Sequence, residues 1–284
     1  MKILLFGGNG FIGERLAVRL AADPASEVKV IGRSVAPSKI KNYIQLDLTK
    51  NSEEFKSNLD WADSVVVLTK DDEAIVNNLL SYLGSRVRPI RIIYLSTLLL
   101  YADSDMPRDE LADINPKTSY EQSKFKEEQK LNNFVTQSKN FKLCVVRMSN
   151  VYGGIKNRGV INYIFQSILD SSPITINNTG DSVRDYIFVD DAVDYLSFLT
   201  LWDQKSTSEI FNVCTGATYS VMDVIKTVEL VTKKTVSYTV GPTIIEKKKI
   251  IGNNKKIVSI SGKLPAYSLE AGLNKTYQNY LSKE

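Results

Sequence analysis

The chain has 284 residues, of which 43% are hydrophobic and 24% are charged, and its formal net charge is +4. These values are ordinary for a soluble globular protein with a substantial core, and such a mild positive charge argues against a nucleic-acid partner. Histidine is absent, which excludes Ser-His-Asp and Cys-His nucleophiles and histidine-based metal sites.

The first predicted element is a buried strand at Ile3–Phe6, followed by a glycine-rich turn over Gly7–Gly13 and a helical pattern over Glu14–Leu20. A turn between a strand and a helix presents backbone N–H groups and the positive end of the helix dipole to an anion. The sequence therefore predicts that the diphosphate of a dinucleotide binds here.

The glycines of this turn have separate predicted roles. We expect Gly7 to permit the tight turn, Gly10 to let a diphosphate approach closely, and Gly13 to let the helix pack on the strand. Phe11 and Ile12 lie between the last two glycines and complete the predicted cofactor-binding stretch.

Further strands alternate with helices through the first half of the chain. Strands are predicted at Val28–Gly32, Tyr43–Leu46, Asp63–Leu68, Pro89–Leu95 and Phe141–Arg147, and helices at 52–59, 72–83 and about 120–137, the last with Thr118 or Ser119 as its N-cap. Continuous apolar strands and this alternation indicate a Rossmann-type, doubly wound parallel sheet of the α/β class.

Ligands of such sheets bind beyond the carboxyl ends of the strands. Arg33, Asp47, Lys70 and Thr97 follow four predicted strands and are expected at that edge, with Asp47 beside the adenine. An arginine at position 33 suits a ribose 2′-phosphate, whereas an acid there would accept from the 2′-hydroxyl, so the sequence favours NADP(H). NAD(H) stays an alternative, since a solvent-facing arginine after a strand is also common.

The alternation loosens after residue 150. The sequence predicts a dinucleotide-binding domain over 1–150 and a smaller C-terminal α/β subdomain over 151–284, with residues of about 183–215 shared between them. Helices are predicted at 159–170, from 190 or 191 to 202, at 220–231 and at 267–281, and strands at 174–176, 183–189, 209–213 and 235–240.

Tyr120 and Lys124 are one helical turn apart and share a helix face. A free phenol has a pKa of about 10, and a nearby ammonium group brings that pKa towards neutrality. With a hydroxyl from Thr97 on the substrate oxygen, this pair can interconvert a carbonyl and an alcohol. The alternative interpretation of the same spacing is an ordinary exposed helix face.

Taken together, these motifs resemble those of the extended short-chain dehydrogenase/reductase family of nucleotide-sugar epimerases, dehydratases and reductases. The matching stretches are Gly7-x-x-Gly10-x-x-Gly13, Leu95-Ser96-Thr97 with Tyr101, Tyr120-x-x-x-Lys124, Arg147-x-x-Asn150-Val151-Tyr152-Gly153 and Arg184-Asp185-Tyr186-x-x-Val189-x-Asp191.

This resemblance implies that Thr97, Tyr120 and Lys124 are catalytic, that Tyr120 and Lys124 also contact the cofactor, and that the 151–284 part binds a nucleotide-sugar. It assigns Thr97, Asn150 and Arg184 to the substrate, with Arg184 at the diphosphate. An ion pair between Arg184 and a neighbouring Asp is the alternative. Relatives that pair two long helices make a homodimer an expectation of the resemblance.

The chain departs from the family's 4,6-dehydratases directly after Thr97. Those enzymes carry an Asp-Glu pair there, whereas Leu98, Leu99 and Leu100 occupy these positions here. We therefore predict NADPH-dependent reduction of a nucleotide-activated 4-keto-6-deoxy sugar for surface-polysaccharide, O-antigen-type biosynthesis. The alternatives are a 4-epimerase with tightly bound NAD(P) and a non-catalytic NADP-binding regulator.

The predicted compartment is the cytoplasm, with no membrane partner and no bound metal. The apolar run at Ile3–Phe6 is too short for a signal peptide, and the longest later one, Ile92–Tyr101, is too short to span a bilayer. Cys144 and Cys214 each lie in an apolar segment, which is typical of reduced core cysteines.

Overall fold

The structure is a computed structural model that describes residues 1–70, 73–138, 140–155, 159–244 and 246–282. It divides into two compact units. The first unit comprises Met1–Leu100, Pro116–Arg147 and Val193–Phe211, and the second comprises Tyr101–Asn115, Met148–Ala192 and Asn212–Glu284.

The strands and helices follow one another along the chain in this order. They are β1 Lys2–Phe6, α1 Phe11–Ala21, β2 Glu27–Gly32, β3 Tyr43–Gln45, α2 Glu53–Trp61, β4 Ser64–Val67, α3 Glu73–Leu83, β5 Ile90–Thr97, α4 Ser119–Thr136, β6 Phe141–Met148, β7 Asn150–Tyr152 and α5 Val160–Asp170. They continue with β8 Ile174–Ile176, β9 Val183–Phe188, α6 Val189–Leu201, β10 Ser208–Val213, β11 Thr218–Ser220, α7 Val221–Thr232, β12 Tyr238–Val240, β13 Lys249–Ile250, α8 Lys255–Ser261 and α9 Leu269–Ser282.

The first unit is built on a seven-stranded sheet with the order β10-β6-β5-β4-β1-β2-β3. Strand β1 pairs in parallel with β2 and with β4, and parallel pairing continues from β2 to β3 and from β4 to β5. The Rossmann-type prediction is confirmed. The strand order reverses beside β1, so the crevice beyond the carboxyl ends of β1 and β4 is the expected ligand position.

The core of the first unit explains why its strands could be read from the sequence. Strand β4 is buried at all four positions and β1 at four of five, because helices cover both faces of the sheet. The helices contribute one apolar face each, as α3 does with Ile75, Val76, Leu79 and Leu83. The predicted start of α3 at residue 72 lies outside the described residues.

The second unit contains two smaller sheets. Strands β11, β9 and β13 are neighbours in one sheet, with β7 also paired to β9, and β12 pairs with β8 in the other. Strands β7, β11 and β13 and helix α8, which have two to seven residues each, were not predicted. Helix α6 begins at Val189, one residue before the predicted aspartate cap.

None of the helices that the structure describes is long and apolar enough to cross a membrane. The outer face of α4 is polar, with Gln122, Lys126, Gln129 and Asn132 all exposed. The homodimer expected from the resemblance stays a prediction.

Candidate active site

The glycine turn joins β1 to α1 in the crevice beside β1. Gly7 has a φ of +74°, a conformation that side-chain-bearing residues rarely adopt, and its N–H donates to the Ile31 carbonyl at 2.9 Å. Gly10 is the N-cap of α1, with no side chain to cap the helix. The first N–H groups of α1 therefore lack a capping side chain and suit an anion.

Gly13 and Gly10 differ in the atoms that an added Cβ would contact. A Cβ on Gly13 would lie 2.5 Å from the Cα of Gly8 and 2.8 Å from the Gly7 carbonyl oxygen, so α1 packs on the turn itself as well as on the sheet. A Cβ on Gly10 would come no closer than 3.5 Å to the Gly7 oxygen, an ordinary contact. The fold thus requires Gly13 to be glycine, while Gly10 leaves space open to a ligand.

A cavity of about 410 Å³ extends from this turn, which is within the usual range for small-molecule sites. Its lining residues are Gly7, Asn9, Gly10, Gly32, Arg33, Ser34, Leu48, Leu68, Thr69, Lys70 and Ile75. The predicted residues Gly7, Gly10, Arg33 and Lys70 are therefore brought together. Phe11 and Ile12 begin α1, and Arg15 stacks on the Phe11 ring at 4.7 Å.

The cavity wall at Arg33 and Ser34 is fixed by three side chains that the sequence analysis did not identify. Gln45 Nε2 donates to the Arg33 carbonyl at 3.1 Å, Tyr43 donates to the Ser34 carbonyl at 2.6 Å, and Asn9 Nδ2 donates to Ser34 Oγ at 2.6 Å. These contacts hold the backbone of the wall while the Arg33 side chain stays exposed.

Asp47 is not among the residues that line this cavity, whereas its buried neighbour Leu48 is. Its carboxylate accepts from the hydroxyl of Thr49 at 2.7 Å and from the backbone N–H of Thr49 at 3.1 Å. These hydrogen bonds, helped by the charges of Lys50 and Arg33, lower the pKa of Asp47. Its predicted contact with adenine stays a prediction.

Thr97 is the last residue of β5 and is buried. Leu98–Leu100 then form one 3₁₀ turn, with Leu98 and Leu100 buried. The Leu99 N–H donates to Thr97 Oγ1 at 3.2 Å. This bond uses a lone pair of the Thr97 oxygen and orients the hydroxyl group. The hydroxyl proton can then be donated to a substrate oxygen.

Tyr120 and Lys124 lie in the first two turns of α4, which begins with Thr118 as its N-cap. The Lys70 ammonium lies 5.5 Å from the centre of the Tyr120 ring. Lys124 is only 3% exposed, and its Nζ donates to the carbonyls of Thr69 at 3.0 Å and Leu95 at 3.2 Å. These carbonyls follow β4 and close β5, so both strand ends hold the lysine.

The inner face of α4 carries an unusual number of buried charges: Glu121, Lys124, Glu127 and Glu128. Glu128 receives two hydrogen bonds from Arg147, at 3.2 Å from Nε and 2.8 Å from Nη2. Arg147 of the matching motif is therefore the partner of a buried carboxylate. Glu127 and Glu128 were not predicted as part of this site, although their i+3 and i+4 spacing from Lys124 places them on its helix face.

In the second unit, the predicted substrate residues Asn150 and Arg184 lie on paired strands, β7 and β9. Arg184 is engaged within its own unit. Its guanidinium forms an ion pair with Glu246 at 3.0 Å and donates to the carbonyls of Val183, Lys247 and Lys248. An ion pair was the alternative interpretation, but the partner is Glu246 rather than an Asp.

Glu246 also lines a cavity of about 620 Å³ in the second unit. The cavity is bounded by α5, by residues 172–177 and by Val221, Ile244 and Glu246. Ser182 and Asn178 donate to Glu246 at 2.6 and 2.9 Å, which fixes the carboxylate at the cavity wall. The wall opposite α5 comes from residues 172–177 and from Val221, Ile244 and Glu246, which are far apart in the sequence, so no local pattern predicted this cavity.

The acids of the Arg184-Asp185-Tyr186 motif hold loops of the second unit. Asp185 accepts from the backbone N–H groups of Thr215 at 3.0 Å and Gly216 at 2.7 Å, and burial raises the pKa of Asp185 to about 6. Asp191 accepts from the N–H groups of Ala266 and Tyr267. These carboxylates are structural.

Comparisons with known proteins place this geometry in context. A sequence model of the NAD dependent epimerase/dehydratase family matches residues 3–214. The chain is 29% identical over 189 residues to a dTDP-4-dehydro-6-deoxyglucose reductase of Escherichia coli, covering 65% of this chain and 59% of that protein's length. It is 25% identical over 305 residues to a GDP-6-deoxy-D-talose 4-dehydrogenase of Aggregatibacter actinomycetemcomitans, covering 99% and 98% of the two chains.

Among solved structures, the fold is similar to that of a UDP-glucuronic acid 4-epimerase from Bacillus cereus, determined in complex with UDP-glucuronic acid and NAD. The TM-score is 0.89, with 20% identity and full coverage of both chains. At this identity the likeness concerns the fold.

Proposed function

This chain belongs to the NAD dependent epimerase/dehydratase family, and we propose that it is an NADPH-dependent reductase of a nucleotide-activated 4-keto-6-deoxy sugar in surface-polysaccharide biosynthesis. The observation that carries the proposal is the 3₁₀ turn of leucines after Thr97. No side chain of Leu98, Leu99 or Leu100 can exchange a proton. The reaction that remains is hydride transfer at a single carbon of the sugar. Thr97, Tyr120 and Lys124 would act on the oxygen that this carbon bears.

The first unit fits a nicotinamide dinucleotide. The helix N-terminus at Gly10 and the open space at that glycine suit a diphosphate, and the exposed Arg33 guanidinium at the cavity wall suits a 2′-phosphate. Lys70 adds positive charge to the same cavity. When bound, such a cofactor supplies the hydride that reduces the keto carbon.

The chain's own residues supply the proton and orient the oxygen. Tyr120 donates its phenolic proton to the sugar oxygen, and Thr97 donates a hydrogen bond to that oxygen. Lys124, held by two strand-end carbonyls, stabilises the phenolate that Tyr120 becomes. Lys124 also provides ammonium protons for the hydroxyls of the nicotinamide ribose.

The two sequence relatives support the reductase. One is named as reducing a dTDP-linked 4-dehydro-6-deoxy sugar, and the other as a 4-dehydrogenase of a GDP-linked 6-deoxy sugar. We propose that the nucleotide-sugar occupies the second unit's cavity, beside the Arg184–Glu246 pair. The cytoplasmic location also stays a proposal, supported by the buried Cys144 and Cys214, which are not joined in a disulfide.

A second candidate is a nucleotide-sugar 4-epimerase, which would use the same three residues without net redox. A sequence similarity of 26% identity over 290 residues to a UDP-glucose 4-epimerase of Haemophilus influenzae favours it. The exposed arginine at position 33 favours the reductase, since a reductase that consumes its cofactor benefits from selecting NADPH.

The test is NADPH oxidation by the purified protein across GDP-, CDP-, UDP- and dTDP-linked 4-keto-6-deoxy sugars. We expect stoichiometric oxidation with one of them, and Tyr120→Phe is expected to lower kcat by about a hundredfold or more. Bound NAD in the purified protein, with interconversion of C4 epimers and no oxidation of NADPH, would establish the epimerase instead. Near-normal turnover by Tyr120→Phe contradicts both candidates.

A further inference from the structure

The inner face of α4 places a second carboxylate next to the lysine, apart from the one paired with Arg147. Glu127 Oε2 lies 3.9 Å from Lys124 Nζ, and both side chains are 3% exposed. We propose that Glu127 is a positioning residue that keeps the Lys124 ammonium charged and in place. This inference rests on the proposed function for its catalytic meaning, because Lys124 is the group that acts on Tyr120.

The position of Glu127 is fixed by two hydroxyl groups. Ser123 donates to Glu127 Oε1 at 2.9 Å from the preceding turn of α4, and Tyr94 of β5 donates to Glu127 Oε2. Burial, together with the charges of Glu127 and Glu128, raises the pKa of Tyr94 far above its ordinary value. Tyr94 therefore keeps its proton at neutral and alkaline pH and stays a donor to Glu127.

The lysine also lies over the aromatic face of Tyr94, with Nζ 4.8 Å from the ring centre. Lys124 Nζ thus has two carbonyl oxygens, a ring face and the Glu127 carboxylate around it. Carbonyl oxygens and ring faces attract an ammonium but carry no net charge. Glu127 supplies a full negative charge in a buried setting, where desolvation otherwise favours loss of the proton.

Glu121, three residues before Lys124 on the same buried face, accepts from the Lys117 backbone N–H at 2.6 Å. Glu128 is bound by Arg147 of β6, and Lys126 and Lys130 on the outer side of α4 pair with Glu73 of α3. Lys70 lies over the Tyr120 ring, and both Tyr120 and Glu128 act on Tyr94 electrostatically. Glu127 is the carboxylate of this face whose oxygen lies 3.9 Å from Lys124 Nζ, and Ser123 and Tyr94 hold it there.

This arrangement has a direct kinetic consequence. In the reducing direction Tyr120 must hold its proton and Lys124 must be charged. A negative charge at Glu127 opposes proton loss from both groups, so it moves the alkaline limit of activity to higher pH. A purely structural role for Glu127 would change stability without moving that limit.

The test uses the full chain labelled with ¹³C at the ε carbon of lysine, followed by NMR as pH is raised, with Lys124→Met identifying the Lys124 signal. In Glu127→Gln, which keeps the shape but removes the charge, we expect the pH at which Lys124 loses its proton to fall by about one unit or more. Glu127→Asp withdraws the charge without removing it and should fall between Glu127→Gln and the wild type.

Glu73→Gln is the matched control, because it removes a carboxylate that pairs with Lys126 and Lys130 on the outer side of α4. We expect the Lys124 midpoint to stay within about 0.3 unit of the wild type in this variant. The proposal is overturned if Glu127→Gln and Glu127→Asp leave the midpoint unchanged, or if Glu73→Gln moves it as far as Glu127→Gln does.

A kinetic experiment distinguishes failure of the proposed role of Glu127 from failure of the proposed function. With the keto-sugar that the wild type reduces, the alkaline limb of the kcat/KM profile should move down by the same amount in Glu127→Gln. If the wild type reduces no keto-sugar, the reductase proposal fails while the NMR result still decides the role of Glu127. If the wild type is active and the NMR midpoint does not move, the role of Glu127 fails alone.

Discussion

Replacing Gly13 with Ala is expected to disturb both the fold and the cofactor site. The added Cβ would lie 2.5 Å from the Gly8 Cα and 2.8 Å from the Gly7 oxygen, about 1 Å short of the best van der Waals separation. These are backbone atoms, so the turn must move away from α1. Overpacking of this kind costs about 1–3 kcal/mol. Because a displacement of about 1 Å misplaces the N–H groups, we also expect NADPH affinity to fall about tenfold or more.

Gly10→Ala is the matched control, since its Cβ makes only an ordinary contact and its φ of −82° suits alanine. We expect its free energy of unfolding to change by less than about 1 kcal/mol, while NADPH binding still weakens because a methyl group occupies the diphosphate approach. The measurements are denaturant unfolding and fluorescence titration with NADPH. Full NADPH affinity in Gly10→Ala would refute diphosphate binding at this turn, and an unchanged stability in Gly13→Ala would refute the packing argument.

Three further predictions concern single side chains. Arg33→Ala should weaken binding of NADPH about tenfold to a hundredfold and leave NADH almost unaffected, and an equal loss for both would contradict a 2′-phosphate contact. Glu246→Gln should lower KM for the nucleotide-sugar several-fold, because it removes the negative charge that opposes Arg184 and leaves the full guanidinium charge to the diphosphate. A higher KM would show that Glu246 itself holds the sugar. Because burial raises the pKa of Asp185 from 3.8 to about 6, the stability advantage of the wild type over Asp185→Asn should fall as pH rises from about 4 to about 6. Urea unfolding of both proteins across that range measures this difference, and a difference that grows with pH would contradict a pKa raised by burial.

The sequence predicted the first unit well because its signals are local. Strand β4 is a continuous apolar run that needs no partner to be recognised, and the Gly7–Gly13 turn is read from spacing alone. The strand-end positions of Arg33 and Thr97 followed from the same alternation. The structure brings Arg33 and Lys70 to one cavity with Gly7 and Gly10, as the parallel topology requires.

The remaining features depend on partners far apart in sequence. Arg184 and Glu246 are separated by 62 residues in the sequence. The residues around Arg184 therefore do not predict that it forms an ion pair with Glu246. The second unit's short strands, such as β13 with two residues, gain their stability from neighbours rather than from their own composition. Glu127 resembles a surface residue in the sequence, and only the placement of β5 against α4 reveals that Tyr94 covers it.

The bidentate contact between Glu128 and Arg147 limits how this protein can change over evolutionary time. Losing either partner alone leaves the other buried charge without its ion pair, at a cost of about 3–5 kcal/mol, whereas replacing both with apolar residues can be neutral. Since natural proteins are only marginally stable, a single-step change at either position would first reduce the amount of folded protein in the cell. Drift at these two positions therefore has to pass through paired substitutions, and selection on protein abundance, independent of turnover, is enough to keep the arginine at position 147.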